Sequence, residues 1–188
     1  MDWLVVGLGN PGSRYERTRH NVGFDVAALL VERWGLGRPA KRYAGLYADG
    51  RIGPGRPRVA VLTPQTFMNE AGRSAGPARG ALGVGLERIV VAHDEIDLPF
   101  GEVRARLGGG LAGHNGLKSL RRELGGAEFH RVRIGVGRPD STDPELVAGY
   151  VLSRFSEPAV EVRGLVERAA EAVEEVIETA PETEDPAR

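Results

Sequence analysis

The chain has 188 residues, 41% of them hydrophobic, which suits one α/β domain with a sizeable core better than two domains. It contains no cysteine, which removes disulfides, thiolate nucleophiles and Cys-ligated zinc or iron–sulfur sites together, and leaves histidine chemistry to His20, His93, His114 and His130. The net charge of −1 hides an asymmetry: residues 157–188 hold 10 acidic and 3 basic side chains, so residues 1–156 carry 16 acidic and 22 basic, a cationic body compatible with a polyanionic ligand.

No apolar run approaches the roughly 20 residues that span a bilayer. No basic stretch followed by an apolar run and a cleavage site opens the chain, so the expected location is cytoplasmic.

Trp3-Leu4-Val5-Val6 reads as a buried strand that ends in Gly7-Leu8-Gly9-Asn10-Pro11-Gly12. The apolar residues of 22–34 fall at helical spacing, with Asn21 at the N-cap position. Residues 43–48 and 58–62 read as strands around a Gly/Pro-rich turn. Pro64 is expected to open a helix through about residue 82, with a kink or break at Pro77. Residues 88–92 form an Ile/Val strand that runs into His93-Asp94-Glu95, and residues 103–107 and 131–136 alternate as strands. A glycine loop, 108–113, feeds a helix over 115–124 in which Asn115 is the expected N-cap. Helices over 143–150 and 158–179 follow, and 181–188 is expected to be an acidic, disordered tail to a domain spanning 1–180.

Strands alternating with helices predict an α/β, three-layer single domain: a mixed, largely parallel sheet flanked by helices. Ligands of such sheets gather at the carboxyl ends of the strands, where 7–12 and 93–97 both lie. If those strands are parallel, the two clusters meet in space.

Gly7-x-Gly9-x-x-Gly12 matches the dinucleotide-binding fingerprint by letter only. That fingerprint needs a helix opening within the glycines, and an acidic residue ending a second strand. Here the helix starts nine residues late, and Asp25 and Glu32 fall inside it.

His20 gains interest from Asp94, since a carboxylate fixes the tautomer of an imidazole and steadies its protonated form for general-base work. A structural ion pair is the plainer reading. With no Gly-x-Ser-x-Gly elbow and no thiol, water is the simplest attacking group. His93 should face away from Asp94 and be structural, and His130 opens a strand with no evident chemistry. No His-Glu-x-x-His pattern points to a metal.

Thr66-Phe67-Met68-Asn69-Glu70 offers an amide beside a flat aromatic wall, or simply a turn with core residues. The loop 108–113 and the helix start after it suit an oxyanion, or simply a hinge. Arg104 and Arg106 share one strand face, as do Arg131 and Arg133, and four arginines on two strands could clamp phosphate.

Five motifs in this order resemble the bacterial peptidyl-tRNA hydrolase family. They are Gly-Leu-Gly-Asn-Pro-Gly with Tyr15 and Thr-Arg-His-Asn; Pro64-x-Thr-Phe-Met-Asn-x-x-Gly72; His-Asp-Glu-Ile-Asp-Leu-Pro-x-Gly101; Gly-Gly-Gly-x-x-Gly-His-Asn-Gly-Leu; and Phe129-His-Arg-Val-Arg-Ile-Gly-Val-Gly-Arg-Pro139. The resemblance implies cleavage of the ester between a peptide and the 3′ ribose of tRNA, which recycles tRNA from chains dropped by the ribosome. It implies His20 as the base that activates water, Asp94 as its stabiliser, and Asn10 as the residue that tells N-blocked from free aminoacyl-tRNA. Tyr15, Phe67, Asn69 and Asn115 would line the substrate cleft, with Met68 and His114 nearby. Asn115 would also help place water or the oxyanion, and Arg104, Arg106 and Arg133 would hold tRNA phosphate. The resemblance further implies a monomer that needs no metal and no cofactor. Gly-Gly-Gly-Leu-Ala-Gly113 departs from the commoner loop pattern of the family, and the acidic end has no assigned role.

Without the resemblance, a non-catalytic RNA- or nucleotide-binding module, or a peptidase or amidase of similar topology, would remain open.

Overall fold

A short apolar run without polar alternation needs cover on both faces, and Trp3–Gly7 has it. In the computed structural model, which describes residues 1–181, this run is β1, buried along its whole length. Residues 182–188, nearly all of the expected disordered tail, lie outside the described residues.

Seven strands form one sheet. After β1 come β2 (Ala40–Arg42), β3 (Gly45–Arg51), β4 (Arg58–Pro64), β5 (Ile89–Glu95), β6 (Val103–Leu107) and β7 (His130–Gly135), in the spatial order β2-β3-β4-β1-β5-β7-β6. The four inner strands β4, β1, β5 and β7 are parallel, and the outer pairings are antiparallel. The mixed, largely parallel sheet expected from the sequence is therefore present.

Alternation along β1 sends Trp3 and Val5 to one face and Leu4 and Val6 to the other. On the first face they meet α1 (Val22–Arg33) and α5 (Ala159–Thr179), which bury Val26, Leu30, Leu165 and Val173 among others. On the second face they meet α2 (Gly72–Leu82) and α3 (Asn115–Leu124), through Ala75, Ala78, Leu117 and Leu120. Three layers result. The remaining helix, α4 (Pro144–Val151), buries none of its residues.

Two local expectations change. Pro64 does not open a helix: it pairs with Gly45 at the last ladder position of β4. A proline fits a strand end, where its missing N–H breaks no further ladder. A 3-10 turn, Met68–Glu70, intervenes, and α2 begins at Gly72 and runs through Pro77. The short strand β2 was not expected, because its three exposed residues carry no apolar signal.

Candidate active site

The close approach of α1 to the sheet sets the position of everything at this end of the molecule. The N–H of Leu8 donates to the carbonyl of Ala92 at 3.0 Å, which ties the end of β1 to β5. Gly23 lies directly over that bond: a Cβ there would fall 2.4 Å from the Ala92 oxygen and 2.6 Å from the Leu8 nitrogen. A Cβ on Gly7 would fall 2.3 Å from the Gly23 carbonyl oxygen. These glycines serve packing, and the turn that leads into α1 is drawn against the ends of β1 and β5.

That turn, Arg19–Asn21, presents His20 to Asp94 of β5. His20 Nδ1 and Asp94 Oδ2 are 2.8 Å apart, so the pairing expected between distant strand ends exists. Asp94 is 3% exposed. Burial pushes its carboxyl up, but the positive charge that His20 and His114 carry when protonated and the hydrogen bonds from both rings outweigh it. The carboxyl is held well below its usual range and stays ionised.

An ionised carboxylate only accepts, so His20 Nδ1 carries a proton and donates it. In the neutral ring Nε2 then keeps a lone pair, on a side chain 14% exposed in the wall of a cleft.

A second imidazole uses the other carboxylate oxygen. His114 Nε2 lies 2.9 Å from Asp94 Oδ1. His114 Nδ1 accepts from the backbone N–H groups of Gly116 (3.1 Å) and Leu117 (3.4 Å). His114, not Asn115, is thus the N-cap of α3. An imidazole nitrogen can cap a helix as an oxygen does, by accepting from its orphaned donors. Accepting at Nδ1 also places the ring proton on Nε2.

The ligand atoms of His20, Asp94 and His114 lie within 4.8 Å of one another, a spacing that suits a cation. In this arrangement, however, His20 Nδ1 and His114 Nε2 both donate to Asp94, and neither offers a lone pair to a metal. His93 packs edge-on against His114 and donates from Nδ1 to its neighbour's backbone carbonyl, that of Asp94, at 2.8 Å. Burial, added to by repulsion from His114 whenever that ring is protonated, pushes His93 down to about 3, so it is neutral.

Asn10 is fixed from two sides. Its backbone N–H donates to Asn21 Oδ1 and its carbonyl accepts from Asn21 Nδ2, both at 2.9 Å. Asn21 therefore makes no cap of α1; its amide serves Asn10 instead. Asn10 Oδ1 accepts from the backbone N–H of Met68 at 2.8 Å. That bond settles the amide orientation, with Nδ2 as the remaining group of a residue that lines the cleft.

The cleft encloses about 770 Å³. One wall holds Asn10, His20, Asp94, Met68 and Asn69, with Phe67 standing 58% exposed at the rim. His114 and Asn115 come from the start of α3. A second wall is α4, through Pro144, Val147, Ala148 and Val151, followed by Leu152 and joined by Arg138 and Thr142. Of the residues expected in the cleft, Tyr15 alone is not among those that line it. The α4 wall was missed, although Val147 and Val151 stand one helical turn apart and give a weak signal. A larger cavity, of about 880 Å³, lies at the opposite end of β1 beside Asp2 and Arg88, and no histidine lines it.

Cross-strand register places Arg104 opposite Arg133 and Arg106 opposite Arg131, so all four arginines share one face of the β6–β7 pair. They are not equivalent. Arg131 is buried and donates to the carbonyls of Gly108 and Gly110, holding the glycine loop instead of joining a clamp. Arg133 donates from Nε to Glu95 at 3.2 Å, and Arg104 pairs with Glu102 at 3.0 Å. Arg104 and Arg106 are exposed.

An imidazole oriented by an ionised carboxylate, open to a cleft at the carboxyl ends of parallel strands, is equipment for hydrolysis. Comparison with known proteins agrees with that class. The peptidyl-tRNA hydrolase family model matches residues 4–185. A peptidyl-tRNA hydrolase of Mycobacterium sp. (strain KMS) is 49% identical over 93% of this chain and 90% of its own length. One from Renibacterium salmoninarum is 43% identical over the same shares. The crystal structure of peptidyl-tRNA hydrolase from Acinetobacter baumannii superposes with a TM-score of 0.79 at 35% identity, covering 94% of this chain and 92% of that one. The chain belongs to the peptidyl-tRNA hydrolase family.

Proposed function

We propose that this protein hydrolyses the ester between the peptide and the 3′-terminal ribose of peptidyl-tRNA, with His20 as the general base. The observation that carries the reading is the donation of His20 Nδ1–H to ionised Asp94, which leaves Nε2 as a proton acceptor in the cleft. Nε2 takes a proton from water as its oxygen attacks the ester carbonyl carbon. Asp94 steadies the imidazolium that forms. As the tetrahedral intermediate collapses, the C–O bond to the ribose breaks and the proton passes to the departing 3′ oxygen, giving free tRNA and a free peptide. Asn115, which lines the cleft at the start of α3, orients the water or donates to the developing oxyanion in this reading.

Asn10 supplies specificity. With Oδ1 engaged by Met68, its Nδ2 donates to the acyl carbonyl that an N-blocked substrate has and a free aminoacyl group lacks. A free ammonium would instead meet a donor. Phe67 and Asn69 line the path of the peptide, with Met68 and His114 behind them. Tyr15, which does not line the cleft, is given no contact with substrate. Arg104, Arg106 and Arg133 present cationic groups to tRNA phosphates, with Glu95 and Glu102 moderating their mutual repulsion.

The protein is read as acting as a monomer, as its resemblance to the family implies. No described helix is long and apolar enough to cross a membrane, and the substrate would be met in the cytoplasm, where tRNA is recycled after chains drop from the ribosome.

The test is hydrolysis of N-acetyl-aminoacyl-tRNA by His20→Ala. A loss of roughly 10²–10⁴-fold with tRNA binding retained is expected, and a near wild-type rate would remove His20 as the base. Equal cleavage of blocked and unblocked aminoacyl-tRNA would undo the role of Asn10. An unchanged dependence of tRNA affinity on salt in Arg133→Ala would remove its phosphate contact.

A further inference from the structure

Arg19 precedes His20 in the chain, and the chemistry above makes no use of it. The residue is 5% exposed, and among the described residues no carboxylate forms an ion pair with it. An unpaired buried charge is costly, so a buried guanidinium is ordinarily matched by a carboxylate. Here the partners are neutral oxygens. Nη1 donates to the carbonyls of Tyr150 (3.2 Å) and Arg154 (2.9 Å) and to the Ser153 hydroxyl, and Nη2 donates to the Ser156 hydroxyl at 3.2 Å. The guanidinium carbon lies 4.0 Å from the centre of the Tyr150 ring and 5.8 Å from that of Phe155. The backbone takes part as well: Arg19 N–H donates to the Ser153 carbonyl at 3.0 Å, and Thr18 bridges Arg154.

All of these acceptors belong to the end of α4 and the segment that leaves it. A helix that buries no residue gains little from apolar burial, and an isolated helix of eight residues is not stable in water. The position of α4 therefore depends on how its ends are held. At its N-terminus Asp143 caps it locally, by accepting from Glu145 N–H at 2.8 Å. At its C-terminus the Tyr150 carbonyl, and beyond the helix the Arg154 carbonyl, accept from Arg19, where the helix dipole also favours a cation. The other tie is Tyr150, whose hydroxyl donates to the Val136 carbonyl at 2.6 Å.

We propose that Arg19 is a positioning residue that couples the α4 wall of the cleft to the base. One short turn, Arg19–Asn21, carries both the guanidinium that holds α4 and the imidazole that sits on Asp94. A substrate that presses on Val147 or Val151 thus acts on the same turn that aims His20. The planar fork is essential to this, because it reaches several carbonyls at once while lying against two rings; a lysine ammonium would keep the charge and lose both. The proposal rests on the reading of His20 as the base.

Steady-state kinetics on N-acetyl-aminoacyl-tRNA, with Tm recorded for each full-length variant, tests it. Tyr150→Phe removes the tie that does not pass through the His20 turn, and is expected to raise KM with kcat unchanged. Arg19→Met is expected to raise KM and to lower kcat by at least about tenfold, since a misplacement near 1 Å can cost on the order of 10²-fold. Arg19→Lys is expected to show the same double effect in milder form, and it decides the question if the Met variant does not fold. A folded Arg19 variant that changes KM alone, as Tyr150→Phe does, or that changes neither constant, overturns the coupling. His20→Ala in the same assay separates the two readings: wild-type hydrolysis there removes the base itself, whatever Arg19 does.

Discussion

The two walls of the cleft are built on opposite terms. The wall at the strand ends is rigid by construction. Asp94 is fully engaged by two imidazoles, Asn10 is bracketed by Asn21 and Met68, and backbone presses on backbone at Gly7 and Gly23. The α4 wall buries none of its residues and is held by its ends. The proton transfer proposed for His20 would take place on the first wall. The second wall adds the half-buried apolar side chains of Val147 and Val151 to the cleft beside Phe67 and Asn69. The contrast teaches that precision and tolerance can share one cavity if they are assigned to different elements.

The sharpest way to break this contrast is at Asp94. Asp94→Asn replaces a pure acceptor by a group that must donate on one side, so one imidazole loses its tautomer. A fall in kcat on the order of 10²–10⁴-fold, with KM little changed, is expected in a hydrolysis assay. A loss below tenfold would mean that the carboxylate does not aim the base. Next in size is Asn21→Ala, which strands the buried backbone N–H and carbonyl of Asn10 and should cost about 1–3 kcal/mol in urea unfolding. The same variant should narrow the preference for N-blocked substrates, because Asn10 is no longer held.

A third prediction concerns pH. Folded His93 titrates near 3, below its ordinary 6.5, so the unfolded chain takes up a proton that the folded chain refuses. Stability from this group is complete above about pH 6.5 and declines as pH falls toward 3. His130, also lowered by burial, adds in the same sense. Unfolding free energies measured from pH 7 to pH 5 should therefore fall, and His93→Gln should remove up to about one proton from the slope. An identical slope in the variant would place the titration elsewhere. The smallest effect belongs to the α4 wall: Val147→Ala should leave stability within about 0.5 kcal/mol of wild type and change KM more than kcat. A kcat loss comparable to that of Asp94→Asn would abolish the distinction between the walls.

Much of the rigid wall was legible in the sequence. An unbroken apolar run, a glycine turn and a second apolar strand ending in His93-Asp94 were enough to bring His20 to Asp94, because parallel neighbours place their ends together. What stayed hidden were exchanges of partner. Asn21 and Asn115 both stand where a cap belongs; one serves Asn10 and the other yields to His114. Arg131 has the same spacing as Arg133, yet it turns to the glycine loop because carbonyls 21 and 23 residues away come within reach. Pro64 carries the same letter at a strand end as at a helix start. The α4 wall was read as a helix, but an eight-residue segment with no buried face says nothing about what it will face.

The contact between Gly7 and Gly23 has a consequence for how such a protein can diverge. The obstacles to a Cβ at Gly23 are main-chain atoms of Leu8 and Ala92, and at Gly7 the nearest is the main-chain oxygen of Gly23. No compensating change of side chain elsewhere can make that room, so the distance between the imidazole-bearing turn and the carboxylate-bearing strand is closed to gradual adjustment. Exposed side chains of the cleft, such as Phe67 and those of α4, meet no such obstacle, since a substitution there displaces water instead of backbone. Lineages of this fold can therefore explore new ligands at the rim without revising their chemistry.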